Sequence, residues 1–276
     1  VDVKTAYVPG VDSFAIKMSG GFFDNPKIGL PSLGGLMVLF SSKTGVLEAL
    51  LLDNGYLTDI RTAAAGAVVA KNLARDNASA VTIIGGGLQA RLQLEAMCLV
   101  RPVKTAKIWA RNIEQAKTAA QELAERLTIE VTATSDAAAA VGSADIVVTT
   151  TPATQPLVKC DWLRPGQLVI AMGSDNTHKN EVEAAALGKA DLFVCDRQSQ
   201  CERLGELHHA IEAGVMSAQS DYPELGQIVS GVHPGRSSDG QLIVCDLTGT
   251  GVQDTAIATL AFARCLDAGA GQDFDS

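Results

Sequence analysis

Several things are missing from this 276-residue chain. No apolar run reaches the roughly 18–20 residues a helix needs to cross a bilayer, which argues against a membrane partner. No Lys/Arg cluster occurs, and the formal charge is −9 with a pI near 4.9, so no basic face is available to a phosphate backbone and a nucleic-acid partner is not expected. The six cysteines (Cys98, Cys160, Cys195, Cys201, Cys245, Cys265) form no CxxC and no zinc-finger spacing; Cys195 and Cys201 flank "DRQSQ", a gap that matches no metal pattern. They read as buried, reduced structural thiols, and no metal is expected. The first residues, "VDVKTAYVPG", carry neither a Met nor a basic-then-apolar signal pattern. The expectation is a cytoplasmic protein from whose sequence an upstream segment is absent.

What is present suits a globular chain of one large or two smaller domains, 47% hydrophobic and 19% charged. The first 60 residues are short alternating or apolar runs, such as "SFAIKMSGG" and "GGLMVLFSS", broken by Gly, Pro, Asn and Asp. That is the pattern of antiparallel strands and turns. An alanine-rich helix, "RTAAAGAVVAKNLAR", is expected to open at Arg61. From Ala80 the pattern turns to strand and helix in alternation: "AVTIIG", "AKIWAR", "IEVTAT", "ADIVVTTT", "QLVIAMG", "ADLFVCD" and "QLIVCDLTG" read as strands, and "VQDTAIATLAFARCLDAG" as a terminal helix. The expected fold class is α/β: a Rossmann-type doubly wound parallel sheet over 62–247, plus a smaller discontinuous α+β domain from 1–61 and 248–276.

A dinucleotide cradle needs a strand, glycines where backbone must approach the pyrophosphate, and a helix N-terminus facing the charge. In "VTIIGGGLQA" Gly85 and Gly87 take the first two glycine positions of G-x-G-x-x-A and Ala90 the third, with Leu88 and Gln89 between them. The third position has only to let helix and strand pack closely, so Ala is allowed. The end of the next strand chooses the cofactor. An acid there would bond the adenosine ribose, whereas a base tolerates a 2′-phosphate. "IWARNIE" offers Arg111 and Asn112 and no acid before Glu114. Both NAD and NADP fit, with a lean to NADP.

The segments "GYLTDIRTAAAGAVVAKNLAR", "IIGGGLQAR", "AMGSDNTHKNEV" and "LTGTGVQDTAIA", in this order and spacing, resemble the ornithine cyclodeaminase/μ-crystallin family over nearly the whole chain, and most nearly its ectoine-utilisation branch. Relative to that family about 40–50 N-terminal residues are absent, in keeping with the usual size of two-domain chains. The resemblance implies a substrate carboxylate held by basic residues of the β-rich domain beside the nicotinamide. On matching positions these are Lys17 and Arg61, with Ser32 where relatives place a hydroxyl; Lys4 stands where relatives often have Arg. A planar guanidinium and a movable ammonium suit that task.

The implied acid/base is Asp175, past the strand "QLVIAMG" at the edge where ligands bind open α/β sheets. Met172, Gly173 and Ser174 of the same segment, Thr150 or Thr151 of "TTTP", and Gly249, Thr250 and Gly251 of "GTGVQD" are expected to line the cofactor. His178, His208, His209 and His233 are candidate proton shuttles by residue type. Only His178 lies near the motif, and "ELHHAI" reads as a helix, so none is assigned to catalysis.

The family's reactions pass through a C=N bond beside a carboxylate. As a reductase or reversible amino-acid dehydrogenase, the protein would use NAD(P)H to reduce a small imino acid. As a cyclodeaminase, it would use bound NAD without net redox and release ammonia. A binder without turnover is the third reading. The reductase is favoured, with a four-carbon imino or amino acid as substrate, in ectoine or hydroxyectoine catabolism. The resemblance also implies a homodimer formed through the β-rich domain, where open strand edges favour pairing.

Overall fold

The computed structural model describes residues 1–22 and 24–273. By its contacts the chain divides into two compact units, Val1–Thr62 with Gly249–Ser276, and Ala63–Thr248. Among the described residues no helix is long and apolar enough to cross a membrane.

The first unit is a four-stranded antiparallel sheet in the order β1 (Asp2–Ala6), β2 (Ser13–Gly21), β3 (Leu33–Ser41), β4 (Leu47–Leu51). The helix α9 (Gly251–Asp267) packs on one face. Strand periodicity sorts the side chains. Ala15, Met37 and Leu39 are buried with Leu57 and with Ala258 of α9. The alternate positions carry an apolar row on the opposite face: Val3 pairs with Met18 and Met18 with Leu36, while Ile16, Val38 and Leu50 line up beside them. Val3, Met18 and Leu50 are exposed there.

The division between the units falls inside α1 (Tyr56–Leu73). This helix starts five residues before the expected opening at Arg61. The Asp53 carboxylate accepts from the Leu57 N–H at 2.7 Å, and Asn54 and Gly55, with φ of 52° and 91°, make the turn before it. The first 60 residues read as strands and turns, whereas the Asp-Asn-Gly turn with an Asp to satisfy a first-turn N–H dictates a helix start at Tyr56. Arg61 therefore sits in the second turn.

The second unit is the doubly wound parallel sheet expected from the alternating pattern. Its strands are β5 (Ala80–Ile84), β6 (Thr105–Trp109), β7 (Glu130–Thr134), β8 (Ile146–Thr149), β9 (Leu168–Ala171), β10 (Leu192–Cys195) and β11 (Ile243–Asp246), and they stand in the order β10-β11-β9-β8-β5-β6-β7. All pairings are parallel. Burial on both faces explains the nearly continuous apolar strands. One face of the sheet packs with α2 (Leu88–Val100), α3 (Ile113–Arg126) and α8 (Leu225–Val229). The other packs with α4 (Ala137–Ser143), α5 (Ala184–Lys189), α6 (Gln198–Leu204) and α7 (Glu206–Glu212). Strand order reverses between β5 and β8, and such a switch point leaves a crevice at the carboxyl ends of the strands.

The expectation of six buried cysteines is corrected in part. Cys195, Cys201 and Cys245 are buried, but Cys98 and Cys160 are half-buried and Cys265 is exposed near the end of α9. A thiol on the outward side of a terminal helix has nothing to pack against. All six are free.

Candidate active site

The first unit gathers its charge in one place. Lys17 lies on the face of β2 that α9 covers, where the alternation otherwise delivers apolar side chains, and it is only 1% exposed. Its Nζ is 3.2 Å from Oδ2 of Asp254, a fully buried acid on α9, and 3.7 Å from Asp2. Nε of Arg61 is 3.0 Å from the other oxygen of Asp254, and Nη1 donates to the Gln253 side-chain oxygen at 3.1 Å. Lys4 faces Lys17 across the β1–β2 ladder and its Nζ is 3.3 Å from Asp2. The structure thus brings Lys4, Lys17 and Arg61 together around Asp254 and Asp2, three cations against two carboxylates. Burial, followed by the nearby Arg61 guanidinium, pushes the Lys17 ammonium below its ordinary pKa, while Asp254 pulls it back. A further anion would complete the neutralisation, and a carboxylate is the shape a guanidinium–ammonium pair accepts best.

Two glycines of the "GTGVQD" segment answer to this cluster. Gly249 has φ of 75°, and a Cβ there would stand 2.7 Å from Arg61 Nη1. A Cβ on Gly251 would collide with the carbonyl of Thr5. Their closeness to neighbours thus already has a cause within the first unit, namely Arg61 and β1, whereas the sequence pointed to close approach of a cofactor. Thr250 is the N-cap residue of α9 and makes no side-chain cap bond. Ser32 stands apart. Its carbonyl accepts from Phe22, and it lies five residues before Met37, the β3 partner of Lys17, or about 17 Å along a strand.

In the second unit the glycine loop leaves β5 at the switch point. Gly85, with φ of 141°, has no room for a Cβ, which would meet the Thr150 hydroxyl; its N–H donates to the Trp109 carbonyl at 2.7 Å. Gly87 is the N-cap of α2, makes no side-chain cap bond, and has open space where a Cβ would be. Ala90, fully buried, packs the helix down. Arg91 donates to the carbonyls of Gly86 and Gly87 at 2.8 and 3.0 Å, so its guanidinium occupies the acceptor side of these peptides. An uncapped 13-residue helix behind an open glycine is a cradle that fits a pyrophosphate. Leu88 and Gln89 form its first turn. At the end of β6, Arg111 is exposed, and Asn112 caps α3 by accepting from the Glu114 N–H at 3.0 Å.

The next two strand ends are tied by one buried acid. The Glu181 carboxylate, wholly inaccessible, accepts from the Thr149 hydroxyl at 2.6 Å, the Thr151 N–H and hydroxyl at 2.5 and 2.7 Å, and the Gly173 N–H at 2.7 Å. Burial pushes its pKa up, and these donors oppose the shift. The clamp fixes the segment after β8, with Thr150 and Thr151, against the segment after β9, with Met172, Gly173 and Ser174. Asp175 follows, with its carboxylate exposed and 2.6 Å from Lys179 Nζ. It caps no helix. Ser174 is buried and donates to the Lys179 carbonyl at 2.6 Å. His178 is exposed beyond Asp175, and His233 accepts from Gly235 within its own turn.

Sequence reasoning missed Asp254, Glu181, Arg91 and Lys179. Asp254 had a signal, because positions 254, 258, 261 and 262 form the apolar stripe of α9 and an acid among them requires a buried cation. Glu181 had none, since its partners come from strands brought together only by the parallel pairing.

A reversed strand order with a glycine loop at the reversal defines a Rossmann-type nucleotide-binding protein. More specifically, the chain belongs to the ornithine cyclodeaminase/mu-crystallin family, whose sequence profile matches residues 2–269. It is 59% identical over 276 residues to a "putative dehydrogenase" of Rhizobium meliloti, covering 100% of this chain and 84% of that one. It is 57% identical to an "uncharacterized cyclodeaminase" of Sinorhizobium fredii, covering 100% and 83%. Among solved structures, Thermococcus litoralis Δ1-pyrroline-2-carboxylate reductase in complex with NADH and L-proline superposes with a TM-score of 0.89 at 29% identity, over 99% of this chain and 88% of that one. An archaeal alanine dehydrogenase dimer with bound NAD gives 0.89 at 29%, over 100% and 88%.

Proposed function

We propose that the protein is an NAD(P)H-dependent imine reductase, or reversible amino-acid dehydrogenase, acting on a small imino or amino acid. The observation that carries this reading is the buried Lys17–Asp254–Arg61 cluster with its excess of positive charge. In this role Lys17 and Arg61, with Lys4 beside them, grip the substrate carboxylate. The first unit is then the substrate and dimerisation domain, and the second the dinucleotide domain. The nicotinamide, when bound, supplies the hydride that goes to the imine carbon. The imine nitrogen gains the proton, and Asp175, directly or through a water, is the group that orients or delivers it. Structures of relatives carrying NADH or NAD support a nicotinamide cofactor. The lean to NADP rests on Arg111, exposed at the end of β6 with no acid beside it. Thr150, Thr151 and the segment from Met172 to Ser174 line the cofactor, held by the Glu181 clamp. A cytoplasmic location, supported by the free thiols, and a role in ectoine or hydroxyectoine catabolism, supported by the sequence resemblance alone, belong to the same reading.

The test is a spectrophotometric screen of small oxo acids with ammonia or methylamine and both reduced cofactors. Substrate-dependent loss of the dihydronicotinamide absorbance is expected, along with tighter NADPH than NADH binding that reverses in Arg111→Ala. Ammonia release from ornithine or diaminobutyrate without net cofactor change would replace this reading with the cyclodeaminase one, which the name of the Sinorhizobium relative favours. Nucleotide binding with neither signal would make the protein a binder.

A further inference from the structure

Outside the set of residues assigned above, α7 carries two histidines and a glutamate whose ligand atoms converge. Neighbouring residues on a helix diverge by about 100°. His208 and His209 nevertheless both turn towards Glu212, one and nearly one turn ahead. His208 Nε2 is 3.4 Å from Glu212 Oε1, and His209 Nδ1 is 3.9 Å from Oε2. The ligand atoms of all three lie within 4.8 Å of one another.

The other nitrogen of each ring is fixed to a backbone carbonyl. His208 Nδ1 is 3.1 Å from the carbonyl of Glu202 on α6, and His209 Nε2 is 2.8 Å from that of Lys179. A carbonyl can only accept, so those two nitrogens carry protons, and the nitrogens facing Glu212 hold lone pairs when the rings are neutral. Two lone pairs then face a carboxylate, acceptors against an acceptor. A donor or a cation placed among them relieves that opposition, and a metal ion is the one that can use all three groups at once. Metal-ligating histidines use this same arrangement, one nitrogen donating to a carbonyl and the other free for the metal.

We propose that His208, His209 and Glu212 bind a divalent transition-metal ion, with Zn²⁺ the best match. Bonds of about 2.0–2.2 Å to zinc put tetrahedral ligand atoms about 3.3–3.5 Å apart. The 3.4 Å pair already fits, and the 3.9 Å pair closes by a few tenths of an ångström through a carboxylate that is 64% exposed. Two imidazoles and one carboxylate select Zn²⁺, Co²⁺ or Ni²⁺ over Mg²⁺ or Ca²⁺ and leave a position for water. The Lys179 carbonyl that anchors His209 also accepts from Ser174. An ion on His209 therefore stiffens the segment that carries Asp175, a consequence that rests on the functional reading, whereas binding itself does not.

The test uses the untagged, chelator-treated full chain without nucleotide or substrate, titrated with Zn²⁺ by calorimetry and with Co²⁺ by visible absorption. One equivalent of Zn²⁺ is expected, with Mg²⁺ not bound, and a Co²⁺ spectrum free of thiolate charge transfer. Glu212→Gln, at an exposed position, should keep the metal-free melting temperature and lose at least tenfold in Zn²⁺ affinity. His208→Asn should weaken binding similarly, and Cys265→Ser should leave it intact. Equal binding by the native chain and Glu212→Gln, no binding by either, or a thiolate band that vanishes in Cys265→Ser would overturn the proposal.

Discussion

The Asp254 carboxylate lies 3.2 Å from the Lys17 ammonium, with both side chains buried, and its second oxygen meets Arg61 at 3.0 Å. One acid on α9 thus orients the two cations supplied by β2 and α1. Removing one member of a buried ion pair costs roughly 3–5 kcal/mol, because the charge left behind is uncompensated. Asp254→Asn removes the one buried carboxylate that both cations share, leaving Lys17 only Asp2 at 3.7 Å, whereas Lys17→Met leaves Asp254 paired with Arg61. In urea denaturation Asp254→Asn should therefore be the more destabilised, by about 3 kcal/mol or more against the native chain. The reverse order would mean that Asp254 does not organise the cluster.

The two unit folds were legible in the sequence to different depths. The parallel sheet announced itself through apolar strands alternating with helices, and the glycine loop through its spacing. Lys17 and Arg61 came from family resemblance, and the structure adds why they meet. Asp254 is 237 positions from Lys17 (254 − 17), and only the docking of α9 on β2 makes them neighbours. The start of α1 falls before Arg61 because the strand-and-turn pattern of the preceding residues extends only to the Asp-Asn-Gly turn, and the deciding signal is one Asp–N–H bond. Glu181 lay beyond the reach of local patterns, since its clamp joins segments from two different strands.

The glycines of the loop separate folding from ligand binding. A methyl at Gly85 would run into the Thr150 hydroxyl in a backbone conformation that L-residues avoid, whereas Gly87, with φ of −86°, has open space. Gly85→Ala should lower stability by about 1–3 kcal/mol, the usual cost of a strained backbone position. Gly87→Ala should melt within a degree or two of the native chain. If the dinucleotide sits in the cradle, Gly87→Ala should nevertheless weaken NAD(P)H binding at least tenfold by fluorescence titration. Unchanged binding would place the nucleotide elsewhere.

Glu181→Gln replaces an acceptor-only group with one that carries two N–H donors. The Thr151 N–H and the Gly173 N–H then compete for a single oxygen, leaving one buried donor unpaired at about 1–3 kcal/mol. Because the clamp holds both strand ends of the proposed cofactor site, NAD(P)H affinity should fall as well, by roughly the tenfold that 1.4 kcal/mol represents. Chemical denaturation and cofactor titration on the same preparation read the two effects separately. A loss of stability with intact affinity would show that the clamp serves the fold alone.

If the first unit is the dimerisation domain proposed above, the exposed row on the outer face of its sheet is the surface that would meet a second copy of this chain. Leu50, 53% exposed on the edge strand β4 at the end of that row, is the place to test it. Leu50→Glu should shift the protein from dimer to monomer in light scattering after size exclusion. Met18→Ala, which keeps the face apolar, should not. A native chain that is monomeric at micromolar concentration would remove this part of the reading.

Asp246, at the end of β11, is fully buried. Burial raises its carboxyl from 3.8 to about 7, with Asp196 adding to the shift and the Leu207 and Glu206 N–H groups opposing it. Burial and the Asp246 charge likewise push Glu206 well up. Between pH 4 and 7 the folded chain therefore binds protons that the unfolded chain has released, so this contribution to stability is fully present below about pH 4 and is lost as pH rises to about 7. The shift of about 3 units corresponds to about 4 kcal/mol at most. Asp246→Asn removes the titration and relieves Glu206. Its stability relative to the native chain should rise steadily from pH 4 to pH 7. Taking the difference cancels groups of opposite sign such as Asp145, whose carboxyl is held low by the Ser79 and Ala80 N–H groups and Arg75 against its burial. A flat difference across that range would show that Asp246 ionises at its ordinary pKa in the folded protein.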